Sequence, residues 1–187
     1  MDETRKIWYR LRGALLVPFY LFIVLWFSGE IEARMLVIPL GGILFGFGLF
    51  LRIWAQTHLH YRLKEHKILT LTGPYTYVRN PIYIGNTFIL AGLTVLTGLL
   101  WFLPIMLMAC AFTYHMTVKY EEYHLAMKYG QDYVDFTRSI PRWMPSFRRM
   151  RNETNNSIRK YLLRSIMAEL HILLLLVPLF LKMVWQA

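Results

Sequence analysis

The chain has a single cysteine, Cys110, in 187 residues. That excludes a disulfide framework and any cysteine-based zinc site. Acidic residues are scarce as well: 11 Asp and Glu stand against 21 Lys and Arg. Charged residues make up only 17% of the chain, where soluble domains carry about 25%. There is no G-x-G-x-x-G fingerprint, internal repeat or low-complexity tract. What is present is apolar: 56% hydrophobic and 16% aromatic residues, which excludes disorder. A net charge of +10 alone would suit a nucleic-acid binder, but such a face needs a polar domain to carry it. Here the basic residues sit between long apolar runs, so no nucleic-acid partner is expected. Cys110 lies in one of those runs and reads as a buried, inert thiol.

Five runs are apolar enough to consider as membrane spans: residues 14–27, 35–55, 82–97, 99–118 and 166–181. A hydrocarbon core takes about 20 residues of helix, fewer where flanking groups snorkel. The pattern predicts an all-α integral membrane protein of five transmembrane helices, with a cytoplasmic helical extension after the fourth. The first run is not expected to be a cleaved signal peptide, because no small-residue cleavage site follows and a second run comes at once. If all five cross, every Lys and Arg except Arg34, Arg52 and Lys182 falls on one side. By the positive-inside rule the N-terminus is then cytoplasmic and the C-terminus opposite, in a bacterial plasma membrane or the endoplasmic reticulum. Residues 28–34 make a hairpin of the first two runs, and Thr97-Gly98 turns a second hairpin. Gly41, Gly42, Gly46 and Gly48, some of them four apart, would let a neighbouring helix approach closely. Residues 1–147 read as the membrane core, 148–157 as a polar linker and 158–187 as a C-terminal transmembrane helix.

Polar residues collect at three places on the expected cytoplasmic side. Arg52 closes the second run, and His58, His60 and His66 follow. An arginine inside a span costs on the order of 2.5 kcal/mol or more unless it snorkels or is paired. It either reaches the interface or meets an anionic headgroup, carboxylate or cofactor. The histidines have no carboxylate cluster beside them, so no metal site is expected. The second place is the run from Gly73 to Gly85, GPYTYVRNPIYIG. Gly73-Pro74 marks a turn. Asn80-Pro81 then starts a helix, with Asn80 as N-cap and Pro81 at the first helical position. A helix start at a membrane surface presents free N–H groups and the positive end of the helix dipole, a seat for a carboxylate or phosphate. Tyr75, Tyr77, Tyr83 and Arg79 around it make a candidate binding site. The third place follows the fourth run, whose helix is expected to continue to Tyr129 and stop at Gly130. Glu121 and Glu122 stand there in the most basic part of the chain, followed by a tail with Arg138, Ile140-Pro141, Arg142 and Pro145. The two glutamates serve either salt bridges on a solvated face or the ammonium or ribose of a nucleoside cofactor.

Arg79-Asn80-Pro81-Ile82-Tyr83-Ile84-Gly85, followed by Glu121-Glu122-x-x-Leu125 and Tyr129-Gly130-x-x-Tyr133 and then the basic tail, resembles the isoprenylcysteine carboxyl methyltransferase family. That family is related to the phospholipid N-methyltransferases, and the resemblance covers about residues 42–145. It implies an integral membrane enzyme that binds S-adenosylmethionine at the cytoplasmic face. Tyr75, Arg79, Asn80, Pro81, Tyr83 and Gly85, with Glu121 and Glu122, are the implied cofactor contacts. Arg52 takes the place of an arginine near the acceptor in that family. His58 and His60 join Arg52 as candidate catalytic residues, because an amine acceptor would need deprotonation. Arg138 and Arg142 of the basic tail are expected to contact the acceptor. The chain departs from the carboxyl methyltransferases in having Asn80 where they have His, as phospholipid methyltransferases often do. It also has a fifth apolar run beyond the motif region.

The expected partners are membrane lipids and a lipophilic methyl acceptor. The first candidate acceptor is a prenylcysteine-type carboxylate, and the alternative is a phosphatidylethanolamine-type amine. A non-catalytic lipid-binding scaffold, its basic tail held by anionic lipids, is a second alternative. Sterol-type reductases share part of such a scaffold but are generally longer chains. The fifth run is expected either to cover the active-site groove or to mediate a homo-oligomer. Glu169 and His171, near its start, read as interfacial residues.

Overall fold

The computed structural model describes residues 3–28, 34–61, 69–146 and 159–185. His66 and the linker expected at 148–157 lie outside the described residues. No strand occurs among those described. Helix α1 (Glu3–Leu11) leads through a 3-10 turn (Ala14–Leu16) into α2 (Val17–Leu25). The chain continues as α3 (Arg34–Tyr61), α4 (Pro81–Leu96), α5 (Leu103–Tyr129), α6 (Gln131–Ser139), α7 (Arg159–Glu169) and α8 (Leu176–Trp185).

Three stretches, Met35–Tyr61, Leu100–Tyr129 and Tyr161–Trp185, are long and apolar enough to cross a membrane. Ala14–Leu25 and Pro81–Leu96 are apolar but shorter, below the roughly 20 residues that match a hydrocarbon core. The five apolar segments are therefore all helical, but only three reach full spanning length. The length of α4 has local causes. Pro81 lacks an N–H and sits in its first turn, and Gly98, at φ 75, makes the turn beyond its end. Much of α4 is buried, including Tyr83, Ile89, Leu93 and Val95, so protein rather than lipid covers most of it. The long helices by contrast turn large apolar side chains outward, among them Met35, Ile43, Met108, Phe112, Phe180 and Trp185. Apolar surface on that scale marks contact with lipid or partner protein.

The fifth segment differs from the single helix expected. It starts at Arg159, and a 3-10 stretch, Leu170–Leu175, separates α7 from α8. Pro178 stands in the first turn of α8 and has no N–H to give Leu174, four residues back, so the upstream turn tightens. Two side chains pin this segment to α2. Tyr20 Oη donates to Leu175 O at 2.7 Å. The buried Lys182 donates to Ile23 O at 2.9 Å and Trp26 O at 2.6 Å, neutralising carbonyls at the end of a helix. Cys110 is fully buried in the core with Met106, Leu93 and Val118.

The closest packing joins α3 to α4, and it runs through glycine. A Cβ on Gly41 would lie 2.7–2.9 Å from atoms of Leu96 and Gly92, and one on Gly92 2.5 Å from Phe45 N. A Cβ on Gly48 would lie 2.6 Å from Gly85 O, and one on Gly85 2.9 Å from both Gly48 O and Arg52 Cγ. Two pairs seven residues apart thus interlock antiparallel helices, Gly41 and Gly48 against Gly92 and Gly85. Gly42 and Gly46, the pair with four-residue spacing, face open space, which corrects the expectation that the four-apart spacing makes the contact. Gly48→Ala is expected to lower stability by about 1–3 kcal/mol through overpacking. Gly46→Ala should be neutral or slightly stabilising. Thermal unfolding of the two detergent-solubilised variants tests the seam, and equal melting temperatures would contradict it.

Candidate active site

The polar ends of α3, α4 and α5 enclose a cavity of about 710 Å³ together with α1, within the size range of small-molecule sites. Of the residues singled out in the sequence, Arg52, Tyr75, Arg79, Asn80, Pro81, Tyr83 and Glu121 line it. Tyr9, Arg12, Gln56, Asn86, Tyr120 and His124 line it too, and none of these was marked from sequence. Asn86 was findable: it lies three residues after Tyr83, on the same helical face, and is a polar residue inside an apolar run. Arg12 counts in the sequence only among the basic residues of the expected cytoplasmic side, and Tyr9 carries no local mark. Tyr9 stacks on Tyr120 at 4.9 Å, and the Arg12 guanidinium sits 4.3 Å above the Tyr9 ring.

Adjacent glutamates on one helix point about 100° apart, and here they part company. Glu121 faces the cavity and accepts from Tyr83 Oη at 2.7 Å. Glu122 turns to the tail, where Oε1 accepts from Arg79 at 2.9 Å and from Arg142 Nε at 3.0 Å, and Oε2 takes a further Arg142 bond. Backbone bonds complete this strap: Arg79 N–H donates to Pro141 O at 3.0 Å and Ser146 N–H to Tyr77 O at 2.8 Å. The strap rests on buried Tyr133, Phe136 and Ile140 of α6 and the residue that follows it. Burial pushes the Tyr133 phenol up to about 12, with Glu122 adding and Arg79 opposing. Burial, aided by Glu121, likewise raises Tyr75, so both phenols are neutral.

Asn80 holds the N-cap position of α4, yet its side chain makes no cap bond and donates instead to Arg142 O at 3.3 Å. The first-turn amides of α4 have no intrahelical acceptor, and the cavity opens on this turn. Arg79 Nε is buried and has no hydrogen-bond partner. An anionic group in the cavity would satisfy the first-turn amides. The remaining candidates sit elsewhere. His58 is buried on Thr72 Oγ1 at 3.0 Å, against Gly73, whose φ of 62 needs a glycine. His60 contacts Ser165 Oγ at 3.3 Å, and neither histidine lines the 710 Å³ cavity. Gly85 packs on Arg52 and Gly48, and Arg138 is exposed beside Asp135. Among the described residues, no three His, Cys, Asp or Glu side chains gather as a metal-holding group.

Arg52 is neither snorkelling nor open. It makes a two-point ion pair with Glu169 of α7, Nε to Oε2 at 2.8 Å and Nη2 to Oε1 at 3.0 Å. Its third nitrogen, Nη1, donates to Asn86 Oδ1. Glu169 is 3% exposed and Arg52 17%, so the interfacial placement expected of Glu169 is corrected, whereas His171 is exposed. Breaking such a buried pair by removing one partner typically costs 3–5 kcal/mol. Arg52 and Asn86 also wall a second, apolar cavity of about 210 Å³, lined by Leu16, Val17, Tyr20, Ile89, Leu90, Tyr114, Ile172 and Leu175. A third cavity of about 630 Å³ lies on the outer side of α4 and α5, with Phe88, Met108 and Phe112. It shares only Tyr114 with the second.

The family model for phospholipid methyltransferases matches residues 36–132. Over 103 residues, the chain is 28% identical to the nickel-cobalt-cadmium resistance protein NccN of Alcaligenes xylosoxydans xylosoxydans. That alignment covers 55% of this chain and 47% of the relative. The cobalt-zinc-cadmium resistance protein CzcN of Cupriavidus metallidurans is 25% identical over 103 residues, 55% of this chain and 46% of that protein. The chain therefore aligns with about half the length of each relative. No solved structure matches.

The strap predicts a measurable difference between the neighbouring glutamates. Glu122→Gln should speed amide exchange at Arg79 and Ser146, because it frees Arg142 and loosens the tail. Glu121→Gln should leave those amides protected. Equal protection in both variants, read by hydrogen–deuterium exchange, would argue against a clamp at Glu122.

Proposed function

The chain belongs to the phospholipid methyltransferase family, and from that premise we propose that it is a multi-pass membrane enzyme transferring a methyl group from S-adenosylmethionine to a lipophilic acceptor. The three long apolar helices suit a multi-pass membrane protein. The observation that carries the proposal is the shared wall. Arg52 and Asn86 border both the polar cavity and the apolar one, so a water-soluble donor and a lipid-soluble acceptor can meet there from opposite sides.

The residues of the polar cavity fit the cofactor. Arg79 and the uncapped first turn of α4 would hold the methionine carboxylate. Glu121 would take the ammonium or the ribose hydroxyls, and Tyr9, Tyr75 and Tyr120 offer faces for the adenine. When bound, S-adenosylmethionine supplies an electrophilic methyl on a sulfonium. The protein's remaining task is to align the two reactants and exclude water. Apolar Ile89, Leu90, Ile172 and Leu175 keep the acceptor side dry and give an alkyl chain its lateral path. Glu122, Arg142 and the strap hold the α4 start against α5 without touching the ligand.

A prenylcysteine-type carboxylate held by Arg52 needs that fork open. The Arg52–Glu169 pair favours the second acceptor class, a phosphatidylethanolamine-type amine. A non-catalytic lipid-binding scaffold would use the apolar cavity but would have no affinity for the cofactor.

Glu121→Gln should weaken S-adenosylmethionine binding about tenfold or more by calorimetry, the loss of roughly one charge-assisted contact. Unchanged affinity would remove Glu121 from the cofactor site. Transfer of labelled methyl from S-adenosylmethionine into a total lipid extract tests the activity, and the labelled product identifies the acceptor. No cofactor affinity and no labelled lipid together would support the scaffold instead.

A further inference from the structure

Glu169 lies outside the matched family region, which ends at residue 132, yet its carboxylate meets Arg52 at the wall between the two cavities. The contact is the end of a seam. Tyr161, Ser165 and Glu169 are spaced four apart and so share one face of α7. Along α3, Tyr161 meets Tyr61 at 5.9 Å between ring centroids, Ser165 meets His60 at 3.3 Å, and Glu169 meets Arg52. Beyond Glu169 the chain is pinned again by Tyr20 to Leu175 and by Lys182 to the end of α2. Glu169 is therefore held on both sides by contacts to α3 and α2.

We propose that Glu169 is a specificity-determining residue, which cancels the Arg52 charge at the acceptor cavity and sets its preference against anionic headgroups. The chemistry follows from the geometry. Arg52 on its own would be an unpaired guanidinium facing a dry cavity, matched to an acid. Glu169 takes the Nε and Nη2 atoms and Asn86 the Nη1 atom, so the edge of the fork that would grip a substrate carboxylate side-on is already occupied by a carboxylate. An acid entering the cavity would also face the buried Glu169 carboxylate across the guanidinium. A cationic headgroup meets the reverse situation, because the arginine that would repel it is already neutralised by the carboxylate behind it. The proposal deepens the acceptor assignment above and rests on it only for the placing of the headgroup in this cavity.

Binding measured without methyl transfer keeps the two apart. Tritiated oleate and tritiated oleylamine, equal in chain and opposite in head charge, are titrated onto the full chain in phosphatidylcholine nanodiscs, with empty nanodiscs subtracted. The wild type should bind oleylamine more tightly than oleate. Glu169→Gln should reverse the order, with oleate gaining about tenfold or more. The double variant Arg52→Gln/Glu169→Gln, which leaves no isolated buried charge, should show no preference and serves should the single variant fail to fold. A wild type that prefers oleate, or a Glu169→Gln or double variant that keeps the wild-type order, overturns the proposal. Absence of labelled methyl product would sink the enzymatic assignment while leaving this binding order as it stands.

Discussion

Two antiparallel helix backbones touch where glycine replaces side chains, and the site depends on that contact. Gly41 and Gly48 on α3 meet Gly92 and Gly85 on α4 at distances that no Cβ could occupy. In a lipid-facing protein no hydrophobic gain drives one helix onto another, so close backbone packing has to supply the attraction. The same contact fixes register. With Gly85 against Gly48, the next turn of α3 lays Arg52 Cγ over Gly85 and brings its guanidinium to Asn86. Arg52 arrives at the wall between the cavities because the glycines admit only one sliding position.

From that fixed wall the rest of the site follows by short connections. His58, one and a half turns after Arg52, buries its ring against Gly73 and Thr72. It therefore locks the turn that feeds the start of α4. The start of α4 is in turn tied to the tail by Asn80, Arg79 and the Glu122 clamp. Residues that looked catalytic by type thus form the frame. His58 and Glu122 carry polar chemistry, but their partners are other parts of the same chain, and Glu121, Tyr83 and Arg79 are left at the cavity.

Much of this was legible from residues close in sequence. The Gly130 stop at φ 53, the Gly98 turn and the Pro81 start all occur where local stereochemistry puts them. The polar run from Gly73 and Glu121 do converge on one cavity. What failed has a common cause, namely partners far along the chain. Asn80 has the right residue type for a cap, but the arriving tail offers it the Arg142 carbonyl. Which of Glu121 and Glu122 faces inward depends on where Arg142 lies. The four-apart glycines looked like the packing pair, but the choice of face belonged to α4, which carries its own glycines seven apart. Glu169, 117 residues from Arg52, had no local mark beyond being a carboxylate near the start of an apolar run.

That last distance bears on how such a fold acquires new chemistry. The region matching the family supplies Arg52, the α4 start and Glu121 to the polar cavity, all inside residues 36–132, and Tyr9 and Arg12 close it from before that region. The apolar cavity draws on segments outside it, Leu16, Val17 and Tyr20 before and Ile172 and Leu175 after. A buried carboxylate is tolerable only beside a cation already in place, and Arg52 is that cation. Arg52 therefore lets α7 carry Glu169 into the core without a separate polar site. The pair in turn holds α7 at one depth along α3, which carries Ile172 and Leu175 to the apolar cavity. Charge at the wall and shape of the apolar cavity are set by the same helix, so a change in one cannot leave the other untouched.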